Sequence, residues 1–437
     1  DDITQYLPEL NGLPYKITIE QLANHTHGLP NYSDLVEMMG FGLSTPASNA
    51  QVLETMLNIK QVNFESGTQF QYGNSGFIFL AEILRRVYQK PFPSLMKEKI
   101  FEPLGMNQTA VVDHPDIIIQ HKASAYTENG DTYVEYPSRQ KECGSSNVHT
   151  TLNDMITWAT HFQNPKAGTQ EHISRLMTET VSLTQEDAYG YGLGLYRENY
   201  KGLKIVFHGG GTAGYRAYIL HVPAHNFSIV TLGNRESYEG LLIIKDLLAL
   251  FFQEEMKEQI PTKTSYTAKE MKAFEGTYRF QPGQYWTLKT DGKDLYFVGV
   301  DDPLPLIGDG TFQFFLPTSY LTFYDNAMEL RVADFKYFCE KIDLNPPTLN
   351  VEELRQYTGI FQNEEFHTFY ELLVIGNDLV AKHLTNGEIA LSPLSKDRFY
   401  ADYPLGEFDF QVNSAGEIKG FTLSGQNYVD LQFTKVK

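Results

Sequence analysis

Apolar residues recur along this chain with two periods, and the change from one to the other falls near Gln259. Up to there, stretches with helical spacing alternate with short strand-like runs; beyond it, period-two alternation and turns dominate. Thr18-Ile19-Glu20-Gln21 and Ser48-Asn49-Ala50-Gln51 are capping boxes ahead of periodic apolar stretches, so a helix is expected after each. The spacing of Phe77, Leu80, Ala81, Leu84 and Val87 predicts a third helix directly after Asn74. Leu152, Met155, Ile156, Ala159 and Phe162 predict a fourth after Thr151. Four runs, Gly192 to Tyr196, Leu203 to His208, Tyr215 to Val222 and Phe227 to Leu232, read as an antiparallel sheet, and a helix from about Tyr238 to Glu258 closes the segment.

Ile260-Pro261-Thr262-Lys263-Thr264-Ser265 reads as a linker, and an internal repeat follows it. Phe274-Glu275-Gly276-Thr277-Tyr278 matches Tyr357-Thr358-Gly359-Ile360-Phe361, and Leu288 to Leu295 matches Leu372 to Leu379. Turns at Asp291-Gly292, Gly308-Asp309-Gly310, Asn386-Gly387 and Ala415-Gly416 make each copy a small antiparallel barrel or curled sheet. The expected domains are therefore 1–259, 260–347 and 348–437. Neither copy of the repeat carries a cluster of acid, base and nucleophile, so both read as scaffold or lid modules.

Composition narrows the functions without choosing one. The 437 residues, 42% of them hydrophobic, with 29 Phe and 27 Tyr, suffice for several packed cores. Thirty-five basic against 54 acidic residues give a net charge of −19, the wrong sign for nucleic acid or an anionic membrane. Cys143 and Cys339 allow one bridge and no disulfide framework, and no His/Cys cluster suggests zinc. Apolar runs such as Ile243 to Phe252 are too short for a membrane span.

Three pieces can carry chemistry. Tyr72-Gly73-Asn74 places a phenol and an amide at a loop-to-helix junction. His208-Gly209-Gly210-Gly211 ends a strand with bare backbone, where a ligand can approach the edge and N–H groups can serve an oxyanion. Room for the oxyanion is expected at Gly211, and room for a substrate backbone at Gly210. It is no phosphate loop, since no Gly-Lys-Ser/Thr follows. His25-Thr26-His27 invites a metal, but the two imidazoles are expected to diverge and no third ligand is near in sequence.

In their order these pieces resemble a known family. Residues 17–30, Ile-Thr-Ile-Glu-Gln-Leu-Ala-Asn-His-Thr-His-Gly-Leu-Pro, resemble the "ITIRHLLTHTSGLP" of class C β-lactamase-like serine hydrolases. Tyr72-Gly73-Asn74 resembles the family's Y-x-N, and Ile100-Phe101-Glu102-Pro103-Leu104-Gly105-Met106 its "IFxPLGM". Residues 144–154 resemble "AGGLxSTAxDL", and His208-Gly209-Gly210 the H-x-G that replaces K-T-G in many members. The repeat resembles the lipocalin-like modules of D-aminopeptidase-type members, the second copy more closely than the first. The resemblance implies an α+β protein: a β-lactamase-like antiparallel sheet with helices on both faces, then two small lipocalin-like barrels. It implies acyl transfer on amides or esters at a periplasmic or extracellular location, with no metal or organic cofactor, on a small-molecule or peptide substrate. Tyr72 would be the acid–base, Asn74 would orient the substrate amide, His208 would bond Tyr72 or a substrate carboxylate, and Gly209 to Gly211 would hold substrate and oxyanion.

The family's nucleophile is the Ser of S-x-x-K, on a helix preceding a "LDDxxxxYLPE" segment. Asp1-Asp2-Ile3-Thr4-Gln5-Tyr6-Leu7-Pro8-Glu9 resembles that segment, so the nucleophile is expected ahead of residue 1 and the chain alone is expected to be inactive. Ser94-Leu95-Met96-Lys97 and Ser138-Arg139-Gln140-Lys141 match the motif by letter, the first on a solvent-facing helix and the second in a loop. The alternative expectation is a non-catalytic peptide- or peptidoglycan-binding pseudoenzyme.

Overall fold

Each helix start marked in the sequence is present in the computed structural model, which describes the chain apart from residues 43–44, 180, 183–187, 258–262, 282, 315, 325–326, 333–334 and 345. Helix α1 (Ile19–Ala23) begins where the Thr18 hydroxyl accepts the Gln21 N–H and the Gln21 side chain accepts the Thr18 N–H. The reciprocal pair fills two donors the helix leaves open. Ser48 and Gln51 repeat it for α2 (Asn49–Leu57). Helix α3 (Ser75–Tyr88) follows Asn74, whose side chain makes no capping bond. Helix α4 (Leu152–His161) follows Thr151, which accepts the Asp154 N–H.

The faces these helices bury differ from the expected ones. On α3 the buried residues are Ser75, Gly76, Ile78, Phe79, Ala81, Glu82 and Ile83, while Leu84 and Val87 are exposed. Close packing on α1 causes this, because a Cβ at Gly76 would lie 2.5 Å from the Leu22 carbonyl oxygen. Glu82 tolerates burial because Arg85 and Arg86 both bond its carboxylate at 2.6 Å. On α4, Leu152 and Ile156 are exposed, and Asp154 is buried as an acceptor for the Thr109 hydroxyl at 2.7 Å.

The sheet of the first compact unit runs β1 (Tyr196–Tyr200), β2 (Leu203–Thr212), β3 (Tyr215–Val222) and β4 (Phe227–Gly233), all antiparallel, in the order β4-β3-β2-β1. Leu203, Ile205, Leu220, Val222 and Ile229 pack on Ile244, Leu248 and Phe252 of α5 (Gly240–Phe252). The other face meets the end of α4, where the Phe162 ring lies 4.6 Å from that of His221. Strand β1 begins where the expected 192–196 strand ends. Residues 192–195 instead form a turn, with the Gly192 N–H on the Leu195 carbonyl at 3.0 Å and Gly194 at φ +87°. Pairing of β1 with β2 stops at Phe207, while β2 pairs with β3 as far as Thr212. Among the described residues, one edge of β2 beyond Phe207 therefore has no partner strand.

A second compact unit gathers residues 260–437 with Leu29–Phe41 and Gln61–Asn63. Of the expected linker, residues 260–262 lie outside the described residues. The two repeat copies differ in closure. Eight strands between residues 276 and 342 make one sheet that stays open among the described residues, whereas eight strands between 359 and 435 form a closed barrel. The open sheet ends in two strands of three residues each, Leu295–Phe297 and Leu306–Gly308, which offer little ladder for closure. The closed barrel is filled with side chains, Phe361, Phe399, Phe408, Phe421 and Phe433 all under 2% exposed. Within this unit the helix Tyr32–Met38 is held by the Tyr370 hydroxyl on the Met38 carbonyl at 2.6 Å, by Asn386 on the Glu37 carbonyl at 2.9 Å, and by Asn427 on Asp34 at 2.8 Å. No helix among the described residues is long and apolar enough to cross a membrane.

Candidate active site

Tyr72, at the entry to α3, and His208, where β2 loses its neighbour, come together: their ring centroids are 6.1 Å apart. The residue between them is one the sequence reading left aside. His25, at φ +60° just after α1, stacks obliquely on Tyr72 at 4.4 Å and on Tyr191 at 4.8 Å. Its Nε2 lies 3.0 Å from the Tyr191 hydroxyl, and its Nδ1 accepts the Gly73 N–H at 3.4 Å. Tyr196 completes the aromatic wall, 6.2 Å from Tyr72 and 5.4 Å from His208. His25 was legible as half of a metal pair and as part of the 17–30 resemblance, Tyr196 only as the end of an expected strand, and Tyr191 was singled out by neither. Among the described residues no group of three or more His, Cys, Asp or Glu could hold a metal. The His25 and His27 rings stand 6.2 Å apart.

Burial sets the protonation of the site. It holds His25 well below the ordinary imidazole range, helped by His27 and His208, and holds His208 below it despite the bond to the Gly209 carbonyl. It pushes the Tyr72 phenol up, although 36% of that residue stays exposed, and among the described residues no cation offsets the shift. The imidazoles beside Tyr72 are thus neutral at pH 7. A positive charge able to make Tyr72 a base has to come from another group.

The three glycines have different reasons to be glycine. None has a positive φ, so conformation is not the cause. Alternation along β2 puts Gly209 and Gly211 on one face and His208 and Gly210 on the other. A Cβ on Gly209 would collide with the Tyr218 ring directly opposite, and one on Gly211 would lie 3.1 Å from Nη1 of Arg216, also directly opposite. The expectation that Gly211 is bare to make room for an oxyanion therefore has a competing cause, the guanidinium beside it. At Gly210, on the His208 face, a Cβ meets nothing within 4 Å. That is the open side of the strand end.

Neither S-x-x-K match joins its serine hydroxyl to its lysine among the described hydrogen bonds. Ser94 is exposed on the helix Phe92–Met96, and Lys97 pairs with Glu102 at the surface. The second match starts in a loop at Ser138 and Arg139, as expected, but ends in a short strand, Gln140–Lys141, paired with Ala47–Ser48. Lys141 is buried and its pKa is lowered, first by burial, yet its Nζ bonds the Ser138 carbonyl at 3.0 Å and Asn147 at 3.2 Å, while the Ser138 hydroxyl turns to the Gln140 carbonyl. A cavity of about 420 Å³ elsewhere in the unit is lined by Asn49, Glu82, Arg85, Arg86, Asp113 and Cys143, among others, and the two arginines there are bonded to Glu82. Cys143 and Cys339 are both buried free thiols.

An antiparallel sheet with helices packed on it thus carries Tyr72-Gly73-Asn74 at a helix entry and His208-Gly209-Gly210 at a strand end, and the two segments meet at Tyr72 and His208. The beta-lactamase family model matches residues 1–251, and the chain belongs to that family. It is 26% identical over 245 residues to a D-aminopeptidase of Cereibacter sphaeroides, an alignment covering 54% of this chain and 45% of the relative, so the chain spans about half of that enzyme's length. It is also 26% identical over 361 residues to penicillin-binding protein 4* of Bacillus subtilis, covering 76% of each. Among solved structures, the octameric penicillin-binding protein homologue from Pyrococcus abyssi superposes with a TM-score of 0.51 at 19% identity, covering 78% of this chain and 82% of that one. At that identity the likeness is one of fold.

Proposed function

We propose that this protein is a serine hydrolase that transfers acyl groups from small amides or esters, with short peptides and amides of D-amino acids as the favoured class. The observation that carries the reading is the meeting of Tyr72 and His208 at 6.1 Å beside a strand edge that no neighbour covers. The relatives named D-aminopeptidase and penicillin-binding protein support the substrate class.

In this reading the substrate backbone lies along Gly209 to Gly211, on the open side marked by Gly210, and N–H groups of that edge receive the oxyanion. Tyr72 shuttles the proton between nucleophile and leaving group, and Asn74 orients the substrate amide. Because both imidazoles are neutral, the charge that lowers the Tyr72 pKa comes from the lysine of a Ser-x-x-Lys pair, which the family's motif order places ahead of Asp1. The two barrel-type modules are scaffold, and the site of action is periplasmic or extracellular.

The test is fluorophosphonate labelling of a form carrying the residues encoded ahead of Asp1, followed by hydrolysis of D- and L-amino acid amides. Labelling of a single serine with faster turnover of the D series is expected. Peptide binding with neither labelling nor turnover would replace this reading with a binding protein.

A further inference from the structure

Tyr191 lies outside the motifs quoted above, yet its hydroxyl touches both imidazoles of the site. It is fully buried, 3.0 Å from His25 Nε2 and 3.5 Å from His208 Nε2. The far nitrogen of each ring is already committed. A backbone N–H can only donate, so His25 Nδ1, which receives Gly73 N–H at 3.4 Å, carries a lone pair. A carbonyl can only accept, so His208 Nδ1, 2.7 Å from the Gly209 oxygen, carries the hydrogen. In neutral rings the remaining nitrogens follow: His25 Nε2 bears a hydrogen and His208 Nε2 a lone pair. Toward these two nitrogens the phenol then has one favourable arrangement. It accepts from His25 and donates to His208, and the bonds run in one direction from Gly73 through His25, Tyr191 and His208 to Gly209.

We infer that Tyr191 is the positioning residue that sets opposite tautomers on His25 and His208 and keeps the His208 Nε2 lone pair occupied in the resting site. The consequence bears on the proposed chemistry, but the inference rests on the hydrogen-bond geometry of two buried neutral rings and not on turnover. His208 then offers no N–H at Nε2 to Tyr72 or to a substrate carboxylate. Its hydrogen is spent on the Gly209 carbonyl, which fixes the strand end where substrate is proposed to lie.

The other groups facing these rings do not reverse the argument. His25 also faces His27, Tyr72, Phe70 and Phe77, and His208 also faces Tyr72 and Tyr196. None of these is a carboxylate or a fixed cation. Burial favours the neutral form of both imidazoles.

The test uses the 437-residue chain labelled with ¹⁵N-histidine, with long-range ¹⁵N–¹H correlations assigned through His25→Gln and His208→Gln. The wild type is expected to show His25 as the Nε2–H tautomer and His208 as the Nδ1–H tautomer. In Tyr191→Phe, which keeps the ring and removes the hydroxyl, the two titrations should part. His208 loses a donor to its neutral form, so its midpoint rises by roughly one unit; His25 loses an acceptor that favours its charged form, so its midpoint falls or stays. A loosened pocket would instead move both toward the ordinary value. An Nε2–H tautomer at His208 in the wild type overturns the inference even if the variant does not fold, and so do unchanged midpoints in a folded variant. None of these readouts needs turnover, so failure of the hydrolase reading leaves the inference to stand or fall separately.

Discussion

Two aromatic clusters, one in each unit, use the same residue types for opposite ends. In the closed barrel, Phe421 lies 4.8 Å from Phe433, 4.7 Å from Phe408 and 5.0 Å from Phe361, and the phenols nearby end on fixed acceptors. Tyr428 donates to the Pro404 carbonyl at 2.7 Å and Tyr370 to the Met38 carbonyl at 2.6 Å. At the candidate site, Tyr191 lies 4.7 Å from Tyr196 and 6.2 Å from Tyr72, but its hydroxyl meets imidazole nitrogens instead of carbonyls. A phenol on a carbonyl has one state. A phenol between two imidazoles can hold or pass a proton, so it is the partner that separates scaffold from site.

The largest effect that can break this comparison is in the barrel. Phe421→Ala removes a fully buried ring and should cost about 3–5 kcal/mol, read by denaturant unfolding of the second unit. Tyr72→Phe should leave stability nearly unchanged but lower kcat by roughly 10²-fold in a form that carries the nucleophile. A barrel that tolerates the first change, or a site indifferent to the second, would remove the distinction.

Glycine substitutions sharpen it inside the site. Gly209→Ala drives a methyl into the Tyr218 ring and should destabilise by about 1–3 kcal/mol, whereas Gly210→Ala meets open space and should fold normally while impairing turnover. Equal melting temperatures for the two variants would contradict the assignment of faces along β2.

Acid should also separate the two regions. In the first unit burial lowers His27 to about 3 and His221 to about 4, and burial with Lys122 and Lys141 lowers His149 to about 4. Between the ordinary 6.5 and those values the unfolded chain binds protons that the folded chain does not, so stability is lost as pH falls through that window. In the second unit His383 is shifted the same way, but burial raises the pKa of Asp34, a group that contributes stability as pH falls. The chain has two tryptophans, Trp158 in the first unit and Trp286 in the second. Fluorescence of Trp286→Phe and Trp158→Phe variants therefore follows each unit alone, and the first is expected to unfold at the higher pH. Simultaneous acid transitions would refute this.

How much of this was legible in the sequence depended on whether the signal was local. Thr18, Ser48 and Thr151 announce their helices because a cap needs only its own first turn. Tyr72 and His208 were legible through motif order. His25 and Tyr191 were not, because their meaning lies in each other, and nothing short of the fold brings residues so far apart in the chain to 3.0 Å. The buried face of α3 was misread for a related reason: Glu82 is apolar in effect only once Arg85 and Arg86 neutralise it. The closure of the second repeat and the opening of the first were equally invisible, since both copies show the same alternation.

The smallest expected effect is the closest control. Tyr428→Phe in the barrel deletes a hydroxyl just as Tyr191→Phe does at the site, and both rings are fully buried. The Tyr428 hydroxyl is shared by the Pro404 and Leu405 carbonyls, 2.7 and 3.0 Å away, so its loss leaves one or two carbonyl oxygens short of a donor. A neutral bond of this kind is worth about 1 kcal/mol, and the penalty should appear as a small drop in unfolding free energy. Neither acceptor can change protonation in response, because both are backbone. Tyr428→Phe should therefore leave every histidine titration where it was, while Tyr191→Phe moves that of His208. If the barrel variant shifts a histidine midpoint as far as the site variant does, then deleting a buried phenol perturbs the whole protein, and the identity of its partners is not what distinguishes the two clusters.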